Sequence, residues 1–328
     1  MATIEDVAKR SGVSVATVSR VINGTGVVSD RLSRRVREAI TELDYRPNFS
    51  GRNLRLGATR TLLVICSVAL DVVLDGVYAA AEELGYRVIV HYIGGNRQRK
   101  AYVDEWFYGN VDGAILYSAF HPDEELTKIS RTLPVVQLCG YLQLPDASRV
   151  SIDEEGAAYD MTLLLLRRGY RRVGLATVDI GGAQETFAIQ RERGYRRALA
   201  DHGMACDQSL VLRCPTGFEN GQELGRRFAA LAQRPDCIFC VQDILAMGVV
   251  RALQDAALRV PEDIAVAGFD DLEIAGLCRP LLTTVRQPFA QMGDAAVRLL
   301  VSRLQGGGTT GRDVILPHAL VERDSTKR

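Results

Sequence analysis

Ala16, Thr17, Ser19, Arg20 and Asn23 fall on one side of a helical repeat, opposite Val15, Val18 and Val21 or Ile22. Small side chains let a helix approach base-pair edges, hydroxyls and amides bond phosphate oxygens, and an Arg fork fits the guanine edge. Those residue types at that spacing suit the major groove of duplex DNA, but they equally suit the outer face of a surface helix in a three-helix bundle. Periodicity alone leaves both readings open. A second polar set, Asp153, Asp179, Gln242, Asp243, Asp270 and Asp271, follows apolar runs, where ligands gather in open α/β sheets.

Catalytic machinery is not expected. The four histidines are scattered, and no Gly-x-Gly-x-x-Gly turn joins a strand to a helix; Gly306-Gly307-Gly308 follows a helical segment instead. Cys237 and Cys240 form a CxxC inside the apolar run CIFCV, without a second pair or a flanking His, so core packing is the expectation. Seven cysteines, an odd number, fit reduced thiols. The chain is read as no enzyme, with no cofactor and no metal.

The elements that position the first set are legible. In TIEDVAKRSGVSVATVSRVIN, apolar Ile4, Val7 and Ala8 precede a Ser-Gly-Val break, and the second apolar face follows. Thr3 and Asp6 have capping-box spacing, Gly12 can stop the first helix, and Ser14 can cap the second, which makes a helix-turn-helix. A third helix begins at a Ser29 cap and sets Arg31, Arg34, Arg35 and Arg37 beside Leu32, Val36, Ile40 and Leu43. Pro47 ends it by pushing Arg46 out of the helical region.

At 328 residues, 47% hydrophobic and 24% charged, the chain is expected to hold two or three globular domains. Its zero net charge hides an asymmetry: residues 1–60 carry eleven Lys or Arg against six Asp or Glu, net +5, and the remainder is net −5. A basic head on an acidic body suits a partner that is a polyanion. MATIEDV lacks a signal-peptide pattern and no run of about 18 apolar residues occurs, so a cytoplasmic protein with no membrane segment is expected.

From Arg60 onward, strand-like runs (TLLVICSV, YRVIVHYI, VDGAILYSA, LPVVQLCG, RVGLATVD, DCIFCVQD, IAVAGFDD) alternate with helical segments. The helices are read around Val73 to Leu84, Ala101 to Tyr108, Glu124 to Arg131, Ala157 to Arg168, Ile244 to Ala256 and Met292 to Leu304. Continuous apolar strands alternating with helices mean parallel sheets covered on both faces, and the length implies two α/β lobes.

The string DVAKRSGVSVATVSRVING, then VS, then RLSRRVREAITELDYRPN, resembles the N-terminal domain of the lactose-repressor (LacI/GalR) family of bacterial transcription regulators. The resemblance runs on nearly to Arg328. It implies a helix-turn-helix head over 1–48, a hinge helix or linker over 49–59, and an effector-binding and dimerisation body over 60–328. The body would be two Rossmann-like lobes of the periplasmic-binding-protein type with crossovers near 150, 278 and 312. The N-lobe would take about 60–150 and 279–311, the C-lobe about 151–278 and 312–328, with Thr283 and Thr284 in a lobe-crossing strand.

The resemblance also implies roles. Val15, Ala16 and Arg20 would read bases of a pseudo-palindromic operator. Thr3, Ser14, Thr17, Ser19, Asn23, Ser29, Tyr45 and Asn48 would set position on the backbone, and Leu54 would wedge into the minor groove. Arg191, Asp270, Gln242 and Phe218 would contact a small-molecule effector, possible chemistries including a sugar or sugar derivative. Departures from the family pattern are the Gln242-Asp243 pair in place of Asn-Asp, a shorter loop after the first strand, Cys139 in place of an Asp, and Thr216 in place of an aromatic. The ending VERDSTKR lacks a leucine heptad tail, so a homodimer is expected. The implied function is repression of a carbohydrate or small-metabolite operon.

Overall fold

The computed structural model describes residues 2–23, 26–45, 58–67, 71–93, 109–118, 124–144, 146–180, 185–307 and 311–327. Asn48, Leu54 and most of the hinge, with the helix expected over 101–108, lie outside the described residues. The chain divides into two compact units, Met1–Thr59 and Arg60–Arg328.

The first unit holds α1 (Ile4–Ser11), α2 (Val15–Asn23) and α3 (Asp30–Glu42). The capping box forms: the Thr3 hydroxyl accepts the Asp6 N–H at 3.2 Å, and the Asp6 carboxylate accepts the Thr3 N–H at 2.8 Å. Those bonds with Thr3 hold the Asp6 carboxyl below its usual range. Gly12 stops α1 at φ +64°, where a Cβ would stand 2.6 Å from Nη2 of Arg35. The Ser14 hydroxyl accepts the Thr17 N–H at 3.2 Å and so starts α2. Ser29 holds the N-cap position of α3, but its side chain makes no capping bond, contrary to expectation; only its carbonyl engages, accepting the Ser33 N–H. Val7, Ala8, Val18, Val36 and Ala39 form the core of this unit, with Ile4, Val13, Val21, Ile22, Ile40, Leu43 and Tyr45 packed around it.

The second unit has two parallel sheets. The first runs in the order β11 (Asp313–Leu316), β5 (Ser148–Ile152), β4 (Val135–Leu138), β3 (Gly113–Tyr117), β1 (Thr61–Cys66), β2 (Arg87–Tyr92). All six residues of β1 and all five of β3 are buried, as expected of strands covered on both faces. The helices α4 (Asp71–Glu83) and α10 (Phe289–Leu304) pack together, α10 also lying against β3, β4 and β5. Between α4 and α10 comes α5 (Glu124–Thr132), then the helices of the second lobe: α6 (Glu154–Arg167), α7 (Phe187–Asp201), α8 (Phe218–Ala230) and α9 (Asp243–Asp255). The second sheet runs β7 (Val211–Cys214), β6 (Val173–Val178), β8 (Cys237–Cys240), β9 (Ala265–Ala267), flanked by the pairs α6–α7 and α8–α9. Cys237 and Cys240 are wholly buried in β8 as free thiols.

The last crossover differs from expectation. β11 pairs parallel with β5, Asp313 opposite Arg149 and Leu316 opposite Ile152, so residues 313–316 belong to the first lobe. The chain crosses only after Leu316, when β12 (Ala319–Val321) pairs antiparallel with β10 (Thr284–Arg286). An edge strand of four residues, alternately exposed and half-buried, carries little apolar signal, which is why sequence places the boundary early, near 312. Among the described residues no helix is long and apolar enough to cross a membrane.

Candidate functional site

The first candidate surface is the outer face of α2. Val18 is wholly buried, whereas Val15 is 40% exposed, so Val15 leaves the buried side on which periodicity had also placed it. Ala16 and Arg20 are exposed beside it, and Thr17 and Ser19 are half-buried. The stem of Arg20 passes alongside Gly26. The Thr17 and Ser14 hydroxyls share a 3.0 Å hydrogen bond within the cap. Asn23 is the last residue of α2, Thr3 and Ser29 are exposed at the starts of α1 and α3, and Tyr45 packs against the head core.

The basic face of α3 is mixed. Arg35 leans over Gly12 at the carboxyl end of α1, where a cation is favoured by the helix dipole. Arg34 and Arg37 share a groove with Asp30, Glu38 and Glu42, and Glu42 also pairs with Arg10.

The second candidate site is a cleft of about 90 Å³ between the two lobes of the body. Tyr117 ends β3 and Ser118 follows it, Cys139 follows β4, Gln242 follows β8 and Asp270 follows β9, so the cleft lies beyond the carboxyl ends of both sheets. Glu154, Phe187, Arg191, Gln287 and Phe289 complete its lining. Arg191 on α7 is only 3% exposed. Its Nε donates to Glu154 at 2.7 Å, and its Nη1 donates to the Val241 carbonyl and, at 3.4 Å, to Asp270. Its guanidinium also lies over the rings of Phe269 and Phe187, at 3.5 and 4.6 Å from their centroids. Burial opposes its charge, but the Glu154 and Asp270 carboxylates outweigh burial and raise its pKa.

Two hydrogen bonds cross the cleft. The Tyr141 hydroxyl donates to Glu154 at 3.1 Å, and Nε2 of Gln287 donates to Asp270 at 2.7 Å. Burial pushes the Asp270 carboxyl up to about 6, although Arg191 pulls the other way. The remaining acids that follow strands do other work. Asp153 caps α6 by accepting the Gly156 N–H, and Asp271 pairs with Arg286 and Arg323. Asp179 lines a separate hollow of about 280 Å³ with Arg193 and Arg196. Asp243 is wholly buried, accepting from the Thr284 hydroxyl at 2.6 Å and the Leu272 N–H at 2.8 Å. Thr283, also wholly buried, takes its N–H to Ser325.

Residues 3–48 match the bacterial regulatory proteins of the lacI family, and residues 163–326 match the periplasmic binding protein-like domain. The chain is 31% identical to the transcriptional repressor CytR of Escherichia coli over 336 residues, covering 99% of this chain and 96% of that one. The chain belongs to the lacI family of regulators. The ribose operon repressor of Haemophilus influenzae is 30% identical over 333 residues, 99% of this chain and 98% of that one. Among solved structures of the family, the lac repressor dimer bound to operator and an anti-inducer superposes with a TM-score of 0.84 at 26% identity, covering 99% of each chain. The regulator CelR in complex with cellobiose gives 0.75 at 31% identity, covering 99% of this chain and all of that one. As a lacI-family member, this protein is a DNA-binding transcriptional regulator and not an enzyme.

Of the four effector residues expected, the cleft brings together Arg191, Asp270 and Gln242. Phe218 opens α8 and is not among the lining residues; the aromatic positions are filled by Tyr117, Phe187 and Phe289. Thr216 reaches Gln242 through its hydroxyl at 2.6 Å. Glu154, Tyr141 and Gln287 were missed by sequence reasoning. Glu154 carried a usable signal, as the first helical residue after a strand and its Asp cap.

Proposed function

We propose that the protein is a repressor whose two copies seat their α2 helices in successive major grooves of a pseudo-palindromic operator. The observation that carries this reading is the exposed face Val15–Ala16–Arg20 on a helix capped by Ser14, whose opposite side is spent on the head core through Val18, Val21 and Ile22. Val15, Ala16 and Arg20 read base edges. Thr3, Ser14, Thr17, Ser19, Asn23, Ser29, Tyr45 and Asn48 hold the backbone, and Leu54 wedges the minor groove between the heads. A small metabolite bound by Arg191, Asp270 and Gln242 changes how the lobes close, and with it the grip of the paired heads. The controlled operon handles a carbohydrate or a related metabolite; one relative is named a ribose operon repressor, and the regulator CelR is in complex with cellobiose. The protein works in the cytoplasm, as a dimer.

Selection of binding sites from random duplexes with the purified full chain tests the reading. A pseudo-palindromic site is expected, and Arg20→Ala is expected to cost ~1–3 kcal/mol of discrimination against scrambled DNA. No enrichment of any duplex would overturn it.

A further inference from the structure

Among its described residues, the interlobe cleft holds more acid than base. Glu154 and Asp270 both face Arg191, and the cleft lining contains no other Lys, Arg, Asp or Glu among the described residues. Nε and Nη1 of Arg191 are already spent on the protein's own acceptors, Glu154, Asp270 and the Val241 carbonyl, which leaves only Nη2 of its fork for an incoming ligand. The uncompensated charge falls on Asp270, whose carboxyl burial pushes up to about 6.

A second observation points the same way. Gln287 is 7% exposed; its Nε2 donates to Asp270, while its Oε1 is buried with no partner. Reversing the amide would turn that oxygen against the carboxylate, so Asp270 fixes its orientation. An orphaned acceptor beside an under-compensated acid is a place for a charged donor. Tyr117 and Phe289 line the same space, and aromatic rings attract cations.

We propose that the cleft takes a small molecule bearing a protonated amine, its ammonium held between the Asp270 carboxylate and Oε1 of Gln287 against the Tyr117 and Phe289 rings. This rests on the reading of the cleft as the effector site. A phosphate or carboxylate would add a third negative charge to a buried pair of acids, and an uncharged polyol would leave the excess in place. The small volume selects a compact amine, such as an amino alcohol, a short diamine or a single aminated sugar ring.

The test uses the full chain in calorimetry and thermal melts with probes matched in skeleton and differing in charge. Ethanolamine is compared with ethylene glycol and glycolate, putrescine with 1,4-butanediol and succinate, and glucosamine with glucose and glucose 6-phosphate. At least one amine is expected to bind at least ~10-fold more tightly than its uncharged and anionic counterparts. Asp270→Asn and Gln287→Leu, each checked for folding by circular dichroism, are expected to abolish that preference. If an uncharged or anionic probe binds best and Arg191→Ala removes the binding, the cleft is the effector site and the amine assignment is wrong. Amine binding that survives both Asp270→Asn and Gln287→Leu places the amine elsewhere and overturns the assignment. If no probe of any class shifts the melt or alters operator release, the amine assignment falls and the effector reading of the cleft falls with it.

Discussion

Asp243 shows how burial can overrule local hydrogen bonding. It accepts from Thr284 and Leu272, bonds that favour an ionised carboxylate, and it lies so close to Gly268 that a Cβ there would stand 2.2 Å from its Oδ1. Burial, and then the Asp270 charge, nevertheless push its pKa up to about 8. At neutral pH the folded chain therefore holds a proton on Asp243 that the unfolded chain, titrating near 4, has lost. With more protons bound in the folded state, stability falls as pH rises from about 4 to about 8; below that window both states are protonated and the slope vanishes. Asp270, raised to about 6, adds slope of the same sign over the lower half of the window. Melts of Asp243→Asn are expected to be flatter than wild type throughout the window, including between about pH 6 and 8, where Asp270 no longer contributes. Equal slopes in the two proteins would assign the proton to another group.

Elements form where short-range signals agree and go unread where the signal is weak. Gly12 is a clear case, since its φ of +64° strains any side chain and the Arg35 guanidinium would have to shift away from a Cβ. Gly12→Ala is expected to destabilise the head by about 1 kcal/mol or more, seen as roughly 5-fold or greater faster exchange of α1 and α2 amides in the full chain. Unaltered exchange would mean that the turn relaxes freely. The capping box, the Ser14 cap and the continuous strands β1, β3, β4, β6 and β8 were legible in the sequence for the same reason: local chemistry and burial point one way. Helices α7 and α8 were not read as helices. The buried side of α7 is Ala188, Arg191, Gly194, Tyr195, Ala198 and Leu199, in which three small residues and one buried Arg leave only Tyr195 and Leu199 as a large apolar signal. Strands β7, β10, β11 and β12 are three or four residues long, and only pairing with distant partners defines them. In the cleft, Arg191 and Asp270 were found through resemblance, whereas Glu154, Tyr141 and Gln287 are united only by the meeting of the two lobes.

On the scale of the whole molecule, the opposed charges of head and body determine where DNA can be held. Residues 1–60 are net +5 and the rest net −5, so phosphates are attracted by one and repelled by the other. Operator affinity is then governed by counterion release: a pair of heads neutralising ~6–10 phosphates would lose ~10³–10⁵-fold in affinity between about 50 and 200 mM salt. The arginines of α3 are not equivalent in this. Arg31 is exposed near the start of the helix, and Arg31→Ala is expected to reduce the slope of log affinity against log salt by ~1 per head, equally for operator and random DNA. Arg35 is engaged over the carboxyl end of α1, so Arg35→Ala should loosen the head while leaving the slope nearly unchanged. Titrations at four or five salt concentrations separate the two outcomes. If Arg31→Ala left the slope intact, Arg31 would be facing solvent, and the phosphate contacts would have to come from elsewhere in the head.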